Sequence, residues 1–301
     1  MKTDLRSIIH AKLPVEAHPD ITLFATQLAL ESGAVAALFY GSNLRTGELD
    51  GVLDFYLLTP GLQREWIWPL VSYHEREFGG RTLRAKAATM SLAKFREAAA
   101  GRSRDTTIWT RFVQPSALLW HRDDTARKQV EFALEDAAIT AARYAAALGP
   151  ESGREAEYWR ALFRETYKAE FRVEAAGREE SIIMLNSAHF DGLLPAAWKA
   201  GGIYFKGHKG IFEPTWPPHE VQAALRDWKR NRRWGRFLNV VRLLKASTTF
   251  EGAARYGAWK IERHTGVPVT LTPWRERHPV LAAPGVLFRV WKTKRARPAG
   301  R

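Results

Sequence analysis

The chain has 301 residues, 46 Lys plus Arg against 32 Asp plus Glu, a net charge of +14, 12 tryptophans and no cysteine. The missing cysteines exclude a disulfide framework, thiolate zinc sites, iron–sulfur clusters and thiol nucleophiles. The sequence has no apolar run long enough to span a bilayer, and its opening MKTDLRSIIHAKLP has no secretory core, so a cytoplasmic protein or one at a cytoplasm-facing membrane surface is expected. The charge is uneven: from Lys229 to Arg301 there are 18 Lys/Arg and only three acids, Glu251, Glu262 and Glu276. The excess of positive charge therefore sits in the last quarter, which points to a polyanionic partner, nucleic acid or anionic lipid.

In chain order, residues 5–33 read as two helices broken near Pro14 and Pro19. Ala34 to Tyr40 (AVAALFY) is a short apolar run entering the Gly41-Ser42 turn, and Val52 to Leu58 (VLDFYLL) is a second buried-strand candidate. Arg84 to Met90 reads as a third strand, followed by a helix with Ser91 as N-cap. Thr125 to Leu148 is an alanine-rich helix stopped by Gly149-Pro150, and Glu155 to Glu174 continues helical. Gly201 to Pro218 is expected to be a loop-rich connection, His219 to about His264 helical, and Pro268 to Pro284 irregular.

Residues 39–58, FYGSNLRTGELDGVLDFYLL, carry the chemistry. Gly41 has no Cβ to keep a triphosphate away, and Ser42 offers a hydroxyl and a turn N–H to phosphate oxygens. Asp54, an acid within an apolar strand, is costly unless it is paired or metal-bound, and a carboxylate suits Mg²⁺. This is the logic of nucleotidyltransferase folds, although Val52 occupies the slot where a second acid of such a strand usually stands. Asp50 is expected in the preceding loop. Residues 202–209 superficially have P-loop spacing, but His208 stands where lysine is required. The nine histidines show no HExxH or paired metal spacing.

These islands together resemble the mitochondrial-type phosphatidate cytidylyltransferases, the translocator assembly and maintenance family. Tyr40-Gly41-Ser42 and Leu53-Asp54-Phe55 match the family's YGS and single-acid strand. Trp66 falls where that family has a Trp-His pair, with Ile67 in place of the histidine. Residues 86–91, KAATMS, are similar to its lysine-bearing strand. Residues 111–115, RFVQP, are similar to its GRLQKP segment, with Gln114 replacing a lysine. Residues 167–174 are similar to its YSGDFRM stretch, and Ala188-His189-Phe190 to its AHF. The resemblance implies an α+β fold: a nucleotidyltransferase mixed sheet with helices, then a mainly helical region and a basic C-terminal segment. It implies Asp54 and Glu170 as catalytic metal ligands, with Tyr40, Gly41, Ser42, Lys86, Arg111 and Arg172 around the nucleotide phosphates. The implied cofactor is Mg²⁺ (or Mn²⁺ or Co²⁺), with CTP as co-substrate.

The expected organisation is a nucleotidyltransferase domain at 1–120, a helical domain completing the site at 121–218, and a basic membrane-associating region at 219–301. The expected reaction transfers CMP from CTP to phosphatidate at an anionic membrane surface, on the inner face of the cell membrane. Two alternatives stand beside it: a nucleotidyltransferase for another phosphorylated lipid or sugar, and a noncatalytic nucleic-acid binder using the basic quarter. Asp54 beside the Gly-Ser turn disfavours the second, because a nucleic-acid binder has no need of a metal carboxylate there. In the tail, residues 286–297 (VLFRVWKTKRAR) set apolar side chains beside five cations, a composition suited to a lipid interface. Trp234, Trp259, Trp274 and Trp291 could anchor there too.

Overall fold

Strands that are apolar on both faces need cover on both sides, and helices from before and after the sheet supply it. The computed structural model describes residues 4–13, 17–169, 178–249, 253–265, 267–277 and 285. Helices α1 (Leu5–Lys12) and α2 (Pro19–Glu31) lead into β1 (Ala36–Tyr40), the short α3 (Ser42–Thr46) and β2 (Leu53–Thr59). Next come β3 (Leu70–Phe78), β4 (Arg81–Ser91), α4 (Leu92–Ala99), α5 (Thr107–Phe112) and β5 (Ser116–His121). Helices α6 (Asp124–Leu148), α7 (Glu155–Ala169), α8 (Arg178–Leu185), α9 (Ser187–Phe190) and α10 (Leu193–Ala200) follow. The chain continues through β6 (Tyr204–His208), β7 (Ile211–Thr215), α11 (Pro218–Thr249), α12 (Ala253–Thr265) and α13 (Pro273–Arg277). The fold is α+β, with a mixed five-stranded sheet in the order β3-β4-β2-β1-β5. Strands β2 and β4 run parallel, and every other neighbouring pair is antiparallel.

Alternation sorts the strand residues onto two faces. Phe39, Leu53, Phe55, Leu57, Leu83 and Ala87 face α2, where Ile21, Phe24 and Leu28 cover them. Leu38, Tyr56, Leu58 and Met90 face the other way, onto Phe95 of α4, Phe112 of α5 and Val130 and Leu134 of α6. Helix α6 is the hub of that second layer. Its buried alanines, Ala133, Ala137, Ala138, Ala141, Ala142 and Ala145, let α1, α4, α5, α7, α10 and α11 all approach it. Asp123 caps the helix through the Ala126 N–H at 2.8 Å, and the Gly149 N–H closes it on the Ala145 carbonyl. The same apolar cluster reaches Trp198 and Trp228, so it runs without a break across the expected division at residue 120.

Ser91 caps α4 as the sequence implies, its hydroxyl accepting from the Lys94 N–H at 3.1 Å. Several elements differ from the reading. Strands β3 and β5 and the short helix α3 were not expected, the stretch after Pro268, expected to be irregular, contains α13, and the supposed loop after Gly201 contains the β6–β7 hairpin. That hairpin turns at Lys209 and Gly210, both at positive φ, and places Gly207 within a strand rather than in a phosphate loop. Among the described residues, no helix is long and apolar enough to cross a membrane.

Candidate functional site

Register brings the chemistry together. Tyr40 of β1 pairs with Asp54 of β2, and Asp54 pairs with Lys86 of β4, so one row of side chains crosses the three inner strands on one face. The row extends to Ser116 of β5 on one side and Tyr73 of β3 on the other. Burial pushes the Tyr73 phenol up, and donation to Glu75 at 2.8 Å adds to the shift. Tyr73 therefore stays neutral and packs against Tyr256 of α12, with ring centres 5.4 Å apart.

At the end of β1 the chain turns through Gly41, at φ +94 and ψ −161, a conformation open essentially to glycine alone. A Cβ built there would lie 3.1 Å from Asp54 Oδ2, so the missing side chain leaves the carboxylate uncovered. Ser42 opens α3, and its hydroxyl donates to Asn43 Oδ1 at 3.3 Å. The buried Asn43 amide in turn donates to the Glu48 and Asp50 carbonyls at 2.9 and 3.0 Å, fixing the loop that leads to β2. Asp50 lies in that loop, outside the strand, as the spacing implies.

A cavity of about 360 Å³ opens over this row. Tyr40, Gly41, Ser42, Asp54, Lys86 and Arg111 all line it, so every sequence-predicted site residue within the described part of the chain meets in one place. Arg111 reaches it from α5. Its Nη1 donates to the Tyr56 hydroxyl at 2.9 Å, and its guanidinium lies over the Tyr40 ring at 5.2 Å and the Tyr56 ring at 5.7 Å. The two rings, their own centres 5.4 Å apart, both pack to one side of the guanidinium and hold a permanent cation in the pocket wall with little rotamer freedom left to lose. Glu170 and Arg172 lie outside the described residues, as do residues 286–301.

Several wall residues were not anticipated. Arg45 of α3 adds a cation. Thr107 and Thr110 of α5, and Gln114 just beyond its end, join Arg111 on the cavity side, while Ile108, Trp109 and Phe112 are buried in the core. The i, i+3, i+4, i+7 spacing of Thr107, Thr110, Arg111 and Gln114 is the signal that could have found them. Thr166 and Tyr167 of α7 close the wall. From the basic quarter, α12 brings Arg263 close enough that its Nη1 would sit 3.5 Å from a Cβ at Gly51. Trp259 of that helix lies under two cations, Arg84 at 5.6 Å and Arg263 at 5.2 Å. Trp234 and Trp274 are largely exposed, and Trp291 lies outside the described residues.

Among the described residues no three His, Asp or Glu side chains converge as a protein-only metal cage would require. The donor set nevertheless suits Mg²⁺, which is commonly held by one or two carboxylates together with substrate phosphates and water. Asp54, uncovered by Gly41 and flanked by Lys86, is such a carboxylate. The chain matches no protein-family model and no curated protein.

Proposed function

We propose that this chain is a metal-dependent nucleotidyltransferase that moves CMP from CTP to phosphatidate at an anionic membrane surface, releasing pyrophosphate, as its motifs resemble those of the mitochondrial-type phosphatidate cytidylyltransferases. The observation that carries the reading is the Tyr40–Asp54–Lys86 row beside the Gly41 turn, facing one cavity with Arg45 and Arg111. A phosphatidate phosphate is already ionised near neutral pH, so the reaction needs no strong base. The barrier is repulsion between two anions, and fixed cations lower it.

In this reading the open turn at Gly41 admits the triphosphate close to the backbone, and Lys86 and Arg45 neutralise its oxygens. Arg111, held by Tyr40 and Tyr56, is preorganised to take charge carried by the oxygens of the transferring phosphoryl group. A phosphatidate oxygen forms the new bond to the α-phosphorus, the α–β bridge breaks, and the electron pair departs with pyrophosphate. Asp54 would hold the divalent ion, with Glu170 as its partner, and the bound ion would supply charge neutralisation and alignment of the phosphates.

The test is incubation of the purified protein with labelled CTP, Mg²⁺ and phosphatidate liposomes. CDP-lipid and pyrophosphate should appear together and vanish with a chelator. Turnover only with a polyprenyl phosphate or sugar phosphate would keep the transferase and replace the acceptor. Absence of turnover with all of these would remove the reading.

A further inference from the structure

A second recess shares no lining residue with the cavity over Asp54. Its walls come from the loop between α4 and α5 and from α6 and α11. Helix α4 ends in a Schellman turn: the Arg102 N–H donates to the Glu97 carbonyl at 3.1 Å, and Gly101, at φ +68, donates to the Ala98 carbonyl at 3.1 Å. A Cβ at Gly101 would come within 2.9 Å of Thr140 Cγ2, so the turn is pressed against α6. The buried Asp105 accepts from the Thr107 N–H at 2.8 Å and holds the far end of the loop. The backbone of Arg102, Ser103 and Arg104 thus runs between two anchored points. With Tyr144 of α6 and Asp227, Arg230 and Asn231 of α11, these residues line a polar hollow of about 220 Å³.

In that hollow three arginines meet one carboxylate, Asp227, which Arg230 already engages at 2.9 Å. Arg102 and Arg104 form no ion pair among the described residues, although Arg102, with Arg96, steadies the Asp136 carboxylate from a distance. The Arg104 guanidinium rests over the exposed Trp234 ring at 4.9 Å. Tyr144 and Asn231 are only 6% and 5% exposed. Asn231 Nδ2 donates to the Tyr144 hydroxyl at 3.2 Å, and that hydroxyl's own proton has no acceptor among the described residues. Ser103 Oγ likewise accepts from the Asp105 N–H at 3.2 Å and keeps its proton to donate. Donors left over in a polar hollow can find their acceptor in a ligand.

We infer that this hollow is a second anion site, taking a phosphomonoester through the guanidinium groups of Arg102, Arg104 and Arg230 and the hydroxyls of Ser103 and Tyr144. Three cations less one carboxylate leave two positive charges, which match the charge of about −2 that a phosphomonoester carries near neutral pH. All of these groups can donate, and guanidinium forks suit phosphate oxygens. A metal cation would meet three arginines there, and an acyl chain would meet polar walls. The chemistry is the same whether the phosphate belongs to a lipid headgroup or to a soluble ester, and it does not depend on what the cavity over Asp54 binds.

The experiment titrates glycerol 3-phosphate into the full chain by calorimetry. In parallel the protein is floated with phosphatidylcholine vesicles carrying either phosphatidate, a phosphomonoester, or phosphatidylglycerol, a diester, and a DNA duplex is titrated alongside. Monoester binding should persist in Lys86→Ala, which impairs the cavity over Asp54. Arg102→Gln combined with Arg104→Gln should weaken it about tenfold or more, and Tyr144→Phe about fivefold, with CTP binding unchanged in both. Arg81→Gln removes an exposed cation at the β3–β4 turn and should change nothing. Binding of glycerol 3-phosphate in solution would assign a soluble ester, and binding confined to phosphatidate vesicles would assign the headgroup. Loss of all monoester binding in Lys86→Ala, unchanged binding in the double variant, or an equal loss in Arg81→Gln would overturn the site. No binding of glycerol 3-phosphate together with equal flotation on phosphatidate and phosphatidylglycerol vesicles would overturn it as well, as would tighter binding to the DNA duplex than to either monoester.

Discussion

Asp54 is a carboxylate set among Leu53, Phe55, Tyr56 and Leu57, and the backbone opposite it has given up a side chain to leave it room. That pairing makes two substitutions informative. Gly41→Ala forces a Cβ to within 3.1 Å of Asp54 Oδ2 and into a positive-φ conformation. The strain should cost about 1–3 kcal/mol of stability, read by urea denaturation, and turnover should fall at the same time. Gly41→Val should be worse on both counts. Asp54→Asn keeps the shape and removes the charge, so CMP transfer should vanish while the melting temperature holds or rises slightly; wild-type turnover in the variant would end the metal assignment. At this scale the sequence was most legible where a residue breaks a local rule: a glycine ending an apolar run, an acid inside one. Arg111 was legible only through the resemblance, because nothing in its own neighbourhood announces that Tyr40 and Tyr56 will clasp it.

Elements were read in proportion to how far their stability comes from apolar pattern. β2 is apolar on both faces and was plain; β3, LVSYHEREF, was not. It is an edge strand that buries only Tyr73 and Phe78, and its charged residues take part in polar contacts, Arg76 with Gln27 and Glu31, and Glu75 with Arg84 of β4 at 3.1 Å. The β6–β7 hairpin escaped because its turn is Lys209-Gly210 rather than the Asn-Gly or Asp-Gly that usually signals one. One junction between elements carries a pH signature. His189 of α9 shares a hydrogen bond with the Val113 carbonyl at the end of α5, while Lys12 of α1 donates to the His189 carbonyl. Burial pulls the His189 imidazole down to about 4, against the Val113 contact that raises it, and nearby Lys12 lowers it further. The folded protein therefore binds fewer protons there than the unfolded chain, whose histidine titrates near 6.5. The contribution is intact above pH 6.5 and is lost progressively as pH falls to about 4, at most about 3 kcal/mol in all. His189→Gln should flatten this limb of the stability profile between pH 6.5 and 4. An unchanged acid slope in chemical denaturation would show that the ring is not held neutral.

At the scale of the whole molecule the α+β architecture was legible in the sequence but its connectedness was not, since no local signal says that α6 will bury its alanines against the helices that cover the sheet. The charge asymmetry was fully legible, and its meaning is open to a direct measurement. Deleting residues 286–301 should reduce co-sedimentation with anionic vesicles more than it reduces CTP binding. Equal binding to neutral and anionic vesicles, or tighter binding to DNA, would favour the nucleic-acid alternative. The row of site residues has a further consequence. Tyr40, Asp54 and Lys86 stand on the three strands that have a neighbour on each side. Strands so placed open only when the whole fold opens. Heat inactivation should therefore follow the global melting curve instead of preceding it, and the amides of β1, β2 and β4 should be among the slowest in the protein to exchange with deuterium. An enzyme built this way would show no temperature at which it is folded yet idle.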